Sequence, residues 1–328
     1  MKNSIFTISL DFEMMWGGID IWSVDDYGKT NIVNVYKVIP RLIELFEKYD
    51  VHATFGIVGL LFNKNKSEML KNLPESIPDY KNLKLSPYTP NILDKINKDN
   101  ENLYFCPNLI EMLKRSPNIE IGTHTYCHYY CWEDRQTKEQ FETDIKKACE
   151  VAQKNGIELK SIIFPRNEVN QEYLEICAKY GITSYRGNAL NFFGQKKSRI
   201  GRIIQRIARL LDAYIPIGGP NSFSIGSIDL NESPLNIRAS RFFRPYSKRW
   251  SFLELLRIRR IKSEIKYAAK HGEIYHLWWH PHNMGINTEN NFKNLENILK
   301  CYREYKEKYN MHSCNMNEIY KFKQINNK

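Results

Sequence analysis

Two histidines four residues apart, His124 and His128, give this sequence its strongest chemical signal. They lie in G-T-H-T-Y-C-H after a predicted strand, and their spacing places both imidazoles on one side of a helical turn, where they could share a metal ion.

Asp11 and Glu13 close the first predicted strand. Residues i and i+2 of a strand point the same way, so these carboxylates repel unless a cation or proton lies between them. Two histidines, one carboxylate ligand and a spare carboxylate together predict a metal hydrolase, although chance spacing and a solvent-facing strand end would explain each pair separately.

Two further polar clusters close predicted strands. F-P-R-N carries Arg166 and Asn167, and an arginine can clamp a carboxylate through two hydrogen bonds. W-W-H-P-H-N carries His280 and His282, and histidine is the side chain most readily poised for acid–base work near neutral pH. A surface turn and a rim of packed aromatic side chains would explain the same residues equally well.

Tryptophans accompany these clusters. Four of the six lie within eight residues of one of them: Trp16, Trp132, Trp278 and Trp279. Flat aromatic rings beside polar groups suit the apolar faces of sugars, so the pattern favours a sugar-containing substrate.

The 328-residue chain has a formal net charge of +11, which is unevenly distributed. Residues 196–212 and 238–262 together hold +13, and both are predicted to be helical. In 196–212, Ile and Leu recur at helical spacing. Such a basic amphipathic segment can lie on an anionic membrane, steer a phosphate-bearing substrate, or simply pack on the core as a surface helix. Nucleic acid is not expected, because no nucleic-acid motif accompanies the charge.

Cysteine content and hydropathy bear on location. The seven cysteines are an odd number without the dense spacing of a disulfide framework, which favours a reducing compartment. The longest apolar run, 53–62, is about half of a membrane span. The N-terminal segment is a poor signal peptide, because its apolar stretch is short and ends in two acids. We therefore expect a soluble, cytoplasmic protein.

Strand-like and helix-like patterns alternate along the chain. Strands are expected at 5–10, 51–59, 119–124, 161–167, 181–187 and 272–282, and helices at 33–49, 137–156, 173–180, 251–271 and 291–309. The alternation predicts a parallel sheet with helices outside, and this length suits a barrel with its chemistry at the carboxyl ends of the strands. We expect one domain over 1–328, with 63–108 as a lid or variable insertion.

Together these motifs resemble the polysaccharide deacetylase family, the NodB-homology or carbohydrate esterase 4 group, whose fold is a distorted (β/α)7-type barrel. The acidic pair at 11 and 13 is similar to the family's acidic pair after the first strand, and H-T-x-x-H at 124–128 to its H-S/T-x-x-H motif. The run A-T-F-G-I-V-G at 53–59 is similar to its second-strand A-T-F-F-V. The P-R turn at 165–166 matches loosely, and the late L-x-H motif is matched at 277–280 with different spacing. The chain departs from the family at Phe12, which separates acids that are usually adjacent, and at Glu13, where the family has Asp.

The resemblance implies a role for each matched residue. The catalytic group is the base Asp11, Arg166 orienting that base, and the acid His280. The metal, expected to be Zn²⁺, is held by Glu13, His124 and His128. The expected substrate contacts are Trp16, Asn167, Trp279 and His282.

The resemblance also implies an activity. It predicts a metal-dependent hydrolase that removes an N-acetyl group from an amino sugar. Without an export signal, the substrate would be a nucleotide- or lipid-linked precursor of a bacterial surface polysaccharide. Two alternatives stay open: an inactive member that binds a glycan or scaffolds its biosynthesis, and an amidase acting on a non-sugar amide. A metal-free two-carboxylate glycosidase is disfavoured, because it would leave the histidine pair unexplained.

Overall fold

The computed structural model of the chain describes residues 3–189, 212, 214 and 218–325. Its strands are Ile5–Phe12 (β1), Ala53–Ile57 (β2), Ile119–Thr123 (β3), Ser161–Ile162 (β4), Ser184–Tyr185 (β5), Phe223–Ser224 (β6), Leu235–Asn236 (β7), Arg241–Phe242 (β8), Glu273–Trp279 (β9) and His312–Ser313 (β10). The α-helices of the described residues are Val35–Tyr49 (α1), Lys66–Lys71 (α2), Pro90–Leu93 (α3), Pro107–Arg115 (α4), Lys138–Lys154 (α5), Gln171–Lys179 (α6), Glu254–His271 (α7), Thr288–Tyr309 (α8) and Met316–Ile325 (α9).

The strands form one curled sheet. Its order is β6–β9–β1–β2–β3–β4–β5–β7, parallel throughout except for β6 against β9. The segment 237–243 connects β5 and β9, which lie towards opposite ends of this strand order. The N–H of Ile237 donates to the carbonyl of Tyr185 on β5, and the N–H of Phe243 donates to the carbonyl of Trp278 on β9. Because this segment pairs with the β5 side at its start and with β9 at its end, it draws the sheet towards a barrel. The predicted distorted barrel fold is therefore confirmed.

The helices cover the sheet largely where their patterns predict them. The helix expected over 137–156 is α5, and it starts from a capping box in which Thr137 and Gln140 satisfy each other's backbone N–H groups. The helix expected from 251 begins at Glu254, because 248–253 forms a 3-10 turn. Among the described residues, no helix is both long and apolar enough to cross a membrane.

The structure describes the second of the two basic segments, 238–262, but only the last residue of the first, 196–212. Residues 196–211 lie outside the described residues. The prediction that 238–262 is helical throughout is wrong, because its first part contains β8. Part of its charge is internal: Arg241 lies 2.7 Å from Glu264 and 3.0 Å from Asp212, and Arg260 lies 3.3 Å from Asp212. These arginines brace α7 against β8 instead of facing a ligand.

Residues 63–108, predicted as an insertion, hold α2, α3 and short 3-10 turns. They pack on the loops that follow the central strands. The hydroxyl of Tyr80 accepts a hydrogen bond from the N–H of Tyr130 at 2.8 Å, and the carbonyl of Tyr104 accepts one from the indole of Trp16 at 2.7 Å. This stretch therefore supports the end of the sheet at which the polar clusters lie.

Candidate functional site

The polar clusters predicted from the sequence meet at one end of the sheet. Asp11 is the second-last residue of β1 and Glu13 follows that strand. His124 follows β3, and His280 follows β9 directly. Because these strands are parallel, their carboxyl ends share one edge, where barrels carry their chemistry. Arg186, directly after β5, joins the same group.

Glu13, His124 and His128 form a compact, buried cluster. Oε2 of Glu13 lies 3.1 Å from Nε2 of His128 and 3.3 Å from Nε2 of His124. In the part of the chain that the structure describes, this is the one group of histidine, cysteine and acidic side chains whose ligand atoms could hold a metal ion together. The predicted ligand atoms are therefore within reach of one ion.

The facing atoms of this cluster fit a divalent cation. Nδ1 of His124 donates to the carbonyl of Ile163 at 2.8 Å, so its buried Nε2 carries the lone pair and makes no hydrogen bond within the described chain. That nitrogen faces a carboxylate oxygen, which also only accepts, and two such atoms need a cation or a proton between them. Ligands of tetrahedral Zn²⁺ at 2.0–2.1 Å lie about 3.3–3.5 Å from one another, close to the separations found.

The loop that carries both histidines is not the helical turn expected from their spacing. It bends through left-handed backbone at Thr125 (φ 62°) and His128 (φ 61°). The buried carboxylate of Asp144, on α5, accepts hydrogen bonds from the N–H groups of Tyr126 (2.6 Å) and Cys127 (3.0 Å). Because these N–H groups bond to a side chain and not to the preceding turn, the loop cannot close into a helix. Asp144 is a positioning residue that the sequence did not single out.

Glu13 lies against the backbone of Gly17. A Cβ atom at position 17 would overlap the carboxylate of Glu13, so glycine is what leaves room for this candidate ligand. Burial raises the pKa of Glu13, but the neighbouring imidazoles, of His280 first and then of His124 and His128, outweigh burial and hold the pKa well below its usual range. The carboxylate is therefore charged, as a metal ligand must be.

Asp11 is held by Arg186. The two guanidinium nitrogens Nη1 and Nη2 donate to Oδ1 and Oδ2 of Asp11 at 2.5 and 2.8 Å. Arg186 is 0% exposed, donates also to Ser9, and lies over the ring of Trp278 at 4.3 Å. Burial raises the pKa of Asp11, but the guanidinium outweighs it and lowers the net value below 3.8. Asp11 is thus ionised and fixed in orientation.

The prediction that Arg166 orients Asp11 is wrong, because Arg186 occupies that place. The guanidinium of Arg166 instead lies 4.2 Å above the ring of Tyr130, with Nη2 3.5 Å from Oδ2 of Asp20. The turn after β4 runs through left-handed backbone (φ 55°) at Arg166. That reversal leaves the Arg166 side chain 41% exposed at the rim.

Asn167, expected to contact substrate, braces Arg186. Its Oδ1 accepts hydrogen bonds from Nη2 (2.7 Å) and Nε (3.2 Å) of Arg186. Its amide oxygen is therefore committed to the guanidinium. The F-P-R-N turn supports Asp11 indirectly, through Asn167.

His280 and His282 differ in access. Nε2 of His280 lies 3.6 Å from Oδ2 of Asp11 and 3.8 Å from Oε1 of Glu13, and its side chain is 23% exposed. His282 is buried beneath the ring of Trp22. Burial, reinforced by the neighbouring His280, lowers the pKa of His282 to about 3. His282 is therefore neutral and enclosed, with Nε2 3.9 Å from Oε1 of Glu13, and His280 is the more exposed of the two histidines.

The two tryptophans predicted to bind substrate are part of the core. Trp16 is buried against Tyr104. Trp279 is buried between Phe46 and Phe243, on the opposite side of β9 from its neighbours in sequence. Successive residues of a strand alternate between faces, so only one of the paired tryptophans on β9 could face the site.

One signal could have revealed Arg186 from sequence. It lies at the end of the fifth predicted strand, 181–187, in S-Y-R-G, just as the predicted site residues close their strands. The expectation that polar residues at the carboxyl ends of parallel strands form the site therefore applied to Arg186 as well. The catalytic and ligand roles of the residues assembled here stay predictions.

Comparisons with known proteins agree with this geometry. A family model described as polysaccharide deacetylase matches residues 23–185. A protein from Mycobacterium smegmatis assigned as a polysaccharide deacetylase is similar in structure, with a TM-score of 0.56 at 11% identity over 99% of this chain and 92% of that one. A protein from Pseudomonas aeruginosa PAO1 with the same assignment has a TM-score of 0.52 at 10% identity, over 97% and 89% of the two chains. No curated protein matches the sequence.

At these identities the structural likeness establishes the fold, and the sequence match covers the strand and loop that carry His124 and His128. The acidic pair and the late histidines lie outside the matched residues. Together, the family match and the shared fold identify the chain as a divergent member of the polysaccharide deacetylase family.

Proposed function

We propose that the protein is a metal-dependent hydrolase that removes an acyl group, acetyl in the simplest case, from the nitrogen of an amino sugar. One observation carries the proposal: Nε2 of His280 lies 3.6 Å from the carboxylate of Asp11 and 3.8 Å from that of Glu13, which belongs to the candidate metal cluster. A base, an acid and a cation site are then within reach of one amide bond. Family membership supports the sugar as the substrate class.

We propose Zn²⁺ as the metal, with Glu13, His124 and His128 as its ligands, because imidazole and carboxylate groups suit this ion. A divalent ion bound there would polarise the acyl oxygen and lower the pKa of an attacking water. The low pKa of Asp11 keeps it ionised at neutral pH, and Arg186 fixes its direction, so this carboxylate can accept the proton of the water.

His280 completes the reaction by protonating the leaving nitrogen. Its Nδ1 lies 3.1 Å from Oδ1 of Asn283, which can only accept, so Nε2 is the nitrogen that exchanges the proton. The carboxylates of Asp11 and Glu13 lie 3.6 and 3.8 Å from this nitrogen, so it faces the place where the substrate nitrogen would lie. Proton release to the amine breaks the carbon–nitrogen bond and leaves a free amino sugar and acetate.

The test combines elemental analysis with an acetate-release assay on N-acetylated sugars. We expect one bound divalent ion per chain and loss of acetate release on chelation. His124→Ala should lose both metal and activity, whereas Asp11→Asn should keep the metal and lose about 10²–10⁴-fold in kcat. A wild-type protein with neither metal nor activity would overturn the proposal and favour glycan binding without catalysis.

The assignment of the acid is tested by two matched variants. We expect His280→Gln to lower kcat by about 10²-fold or more. His282→Gln should act mainly on stability, because that ring is buried under Trp22. Equal losses of kcat, with both variants folded, would contradict the choice of His280.

We further propose that the enzyme is cytoplasmic and acts on a lipid-linked precursor of a surface glycan. All seven cysteines are unpaired, as expected in a reducing compartment. An apolar–basic patch over 248–256 supports lipid over nucleotide: it exposes Trp250, Phe252, Leu255 and Leu256 beside the exposed Lys248 and Arg249. Aromatic and aliphatic side chains flanked by cations are typical of surfaces that lie on anionic membranes.

Vesicle sedimentation tests this patch. The protein should bind vesicles containing phosphatidylserine, and less well those of phosphatidylcholine alone or at high salt. Phe252→Ser should weaken binding about 10-fold or more, since Phe252 is 71% exposed and its burial in lipid is worth roughly 1.5–3 kcal/mol. Leu83→Ser, at an exposed leucine in 63–108, is the control. Equal vesicle binding by the wild type, Phe252→Ser and Leu83→Ser would refute a membrane role for the patch.

A further inference from the structure

Arg166 is a charged side chain at the rim that the catalytic geometry leaves unused. Its guanidinium rests on the ring of Tyr130, and its nearest ionic partner is Asp20 at 3.5 Å. Within the described part of the chain it makes no hydrogen bond, so its N–H donors are available to a ligand.

Two buried oxygens beside Arg166 are equally unsatisfied. Oδ1 of Asp20 and the hydroxyl of Tyr130 are both buried, and neither makes a hydrogen bond with the described residues. Tyr130 as a whole is 1% exposed. Buried polar atoms are normally paired, so two unsatisfied oxygens beside an arginine that makes no hydrogen bond indicate a place where a ligand supplies the missing partners.

This place adjoins the candidate metal cluster. The ring of Tyr130 packs edge-on against the imidazole of His128, with ring centroids 5.0 Å apart, and Arg166 covers the same tyrosine ring. A molecule whose acyl group lies at the cluster would therefore extend over Tyr130 towards Arg166.

The charges indicate what such a molecule presents. Arg166 and Asp20 form a neutral pair that offers N–H donors and a carboxylate acceptor side by side. A phosphate would gain from the arginine but would be repelled by the carboxylate, whereas a hydroxyl group both donates and accepts. We propose that Asp20, Tyr130 and Arg166 form a subsite for the ring hydroxyls of the sugar that carries the acylamino group. This inference rests on the proposed function and names the part of the substrate that these residues bind.

Steady-state kinetics of the zinc-loaded protein test the subsite. The probes are N-acetylglucosamine, its 3-deoxy and 4-deoxy analogues, and N-acetylethylamine, which has no hydroxyl. Arg166→Met should raise KM for N-acetylglucosamine about 10- to 100-fold, as expected for loss of hydrogen bonds from a charged group, with a smaller change in kcat. Tyr130→Phe, which removes one oxygen, should raise KM by less. Against the deoxy analogue that lacks the bound hydroxyl, and against N-acetylethylamine, neither variant should differ from wild type.

Arg115→Met is the matched control, since it removes an exposed arginine just before β3, at the opposite end of that strand from His124. It should leave every KM unchanged. Unchanged KM for N-acetylglucosamine in both Arg166→Met and Tyr130→Phe would overturn the subsite, and so would an equal loss on N-acetylethylamine. Calorimetric binding of N-acetylglucosamine separates the two proposals. If wild type releases no acetate but binds this sugar more tightly than Arg166→Met, the hydrolase proposal fails and the subsite stands.

Discussion

Replacing Arg186 by Met tests the ion pair that orients Asp11. The substitution keeps an apolar side chain over Trp278 but removes a buried cation that donates to Asp11, Asn167 and Ser9. An unpartnered buried carboxylate costs about 3–5 kcal/mol. For 328 residues the entropy of unfolding is about 0.7 kcal/mol per degree, so we expect Tm to fall by about 4–7 °C.

The expected loss depends on pH. Arg186 lowers the pKa of Asp11 below its ordinary value of 3.8, so this ion pair stabilises the fold above that pH and the benefit is lost as pH falls through the lowered value. In Arg186→Met, burial loses the strongest of the groups that oppose it, so the pKa of Asp11 rises and the carboxyl becomes neutral at a higher pH. The stability gap to wild type, measured by urea unfolding, should therefore be largest near pH 7 and smaller at pH 4. The double variant with Asp11→Asn should recover more than half of the loss, because it removes the unpartnered buried carboxylate as well.

Arg166→Met is the matched control, since Arg166 is 41% exposed and does not contact Asp11. We expect its free energy of unfolding to change by about 1 kcal/mol or less. The kcat for acetate release should fall at least about 10²-fold in Arg186→Met, because Asp11 loses the guanidinium that fixes its direction and favours its ionised form. Equal destabilisation by the two substitutions, or a loss below about 1 kcal/mol in Arg186→Met, would refute the assignment of Arg186.

Two further changes act on the loops around the candidate metal site. Gly17→Ala should reduce bound metal by displacing the carboxylate of Glu13, and the stoichiometry from elemental analysis checks it: full occupancy would show that the carboxylate has another position. Asp144→Asn tests the buried acid that accepts the N–H groups of Tyr126 and Cys127. Burial raises the pKa of Asp144 from 3.8 to about 6, so ionisation costs the wild type roughly 3 kcal/mol between pH 4 and pH 7. Relative to wild type, Asp144→Asn should thus gain stability as pH rises over that range, and urea unfolding that shows no such trend would contradict a buried charge there.

The sequence predicts the longest strands and helices well because their signals are local. Amphipathic spacing and the cap at Thr137 place α5 within two residues of its predicted bounds, and β-branched runs place the long central strands. The rule that parallel strands end at one edge then predicts from the sequence alone that Asp11, Glu13 and His124 lie together. Local patterns do not determine which neighbouring loop faces Asp11. Arg166 follows β4 and Arg186 follows β5, and only the curl of the sheet decides which of them meets that carboxylate.

The tryptophans illustrate a second limit. Proximity in sequence placed Trp16 and Trp279 near polar clusters, but side-chain direction depends on register. Trp279 pairs with Leu10 across β1 and β9, and both are buried. Trp278, one residue earlier, points the other way and packs on Arg186. A shift of one position along β9 therefore decides whether a tryptophan packs in the core or faces the candidate site. For this reason the positions of the aromatic residues in the sequence could not identify a sugar-binding surface.

The backbone around the site bears on whether this divergent member is active. Nine described non-glycine residues have left-handed φ, and five of them surround the candidate site: Met14, Thr125, His128, Arg166 and Asn167. Three of the other four are Asp or Asn, which tolerate this conformation. Met14 and the β-branched Thr125 do not, and each such residue costs of order 1–3 kcal/mol. They lie beside Glu13 and His124, the two candidate ligands from different strands.

Backbone strain of this kind persists when the surrounding contacts impose it. Here the strained turns orient Glu13 and His124, and also Asn167, which holds Arg186 in place. A chain that had only inherited the fold would gain stability by relaxing these turns, so their retention favours a working metal site over a vestigial one.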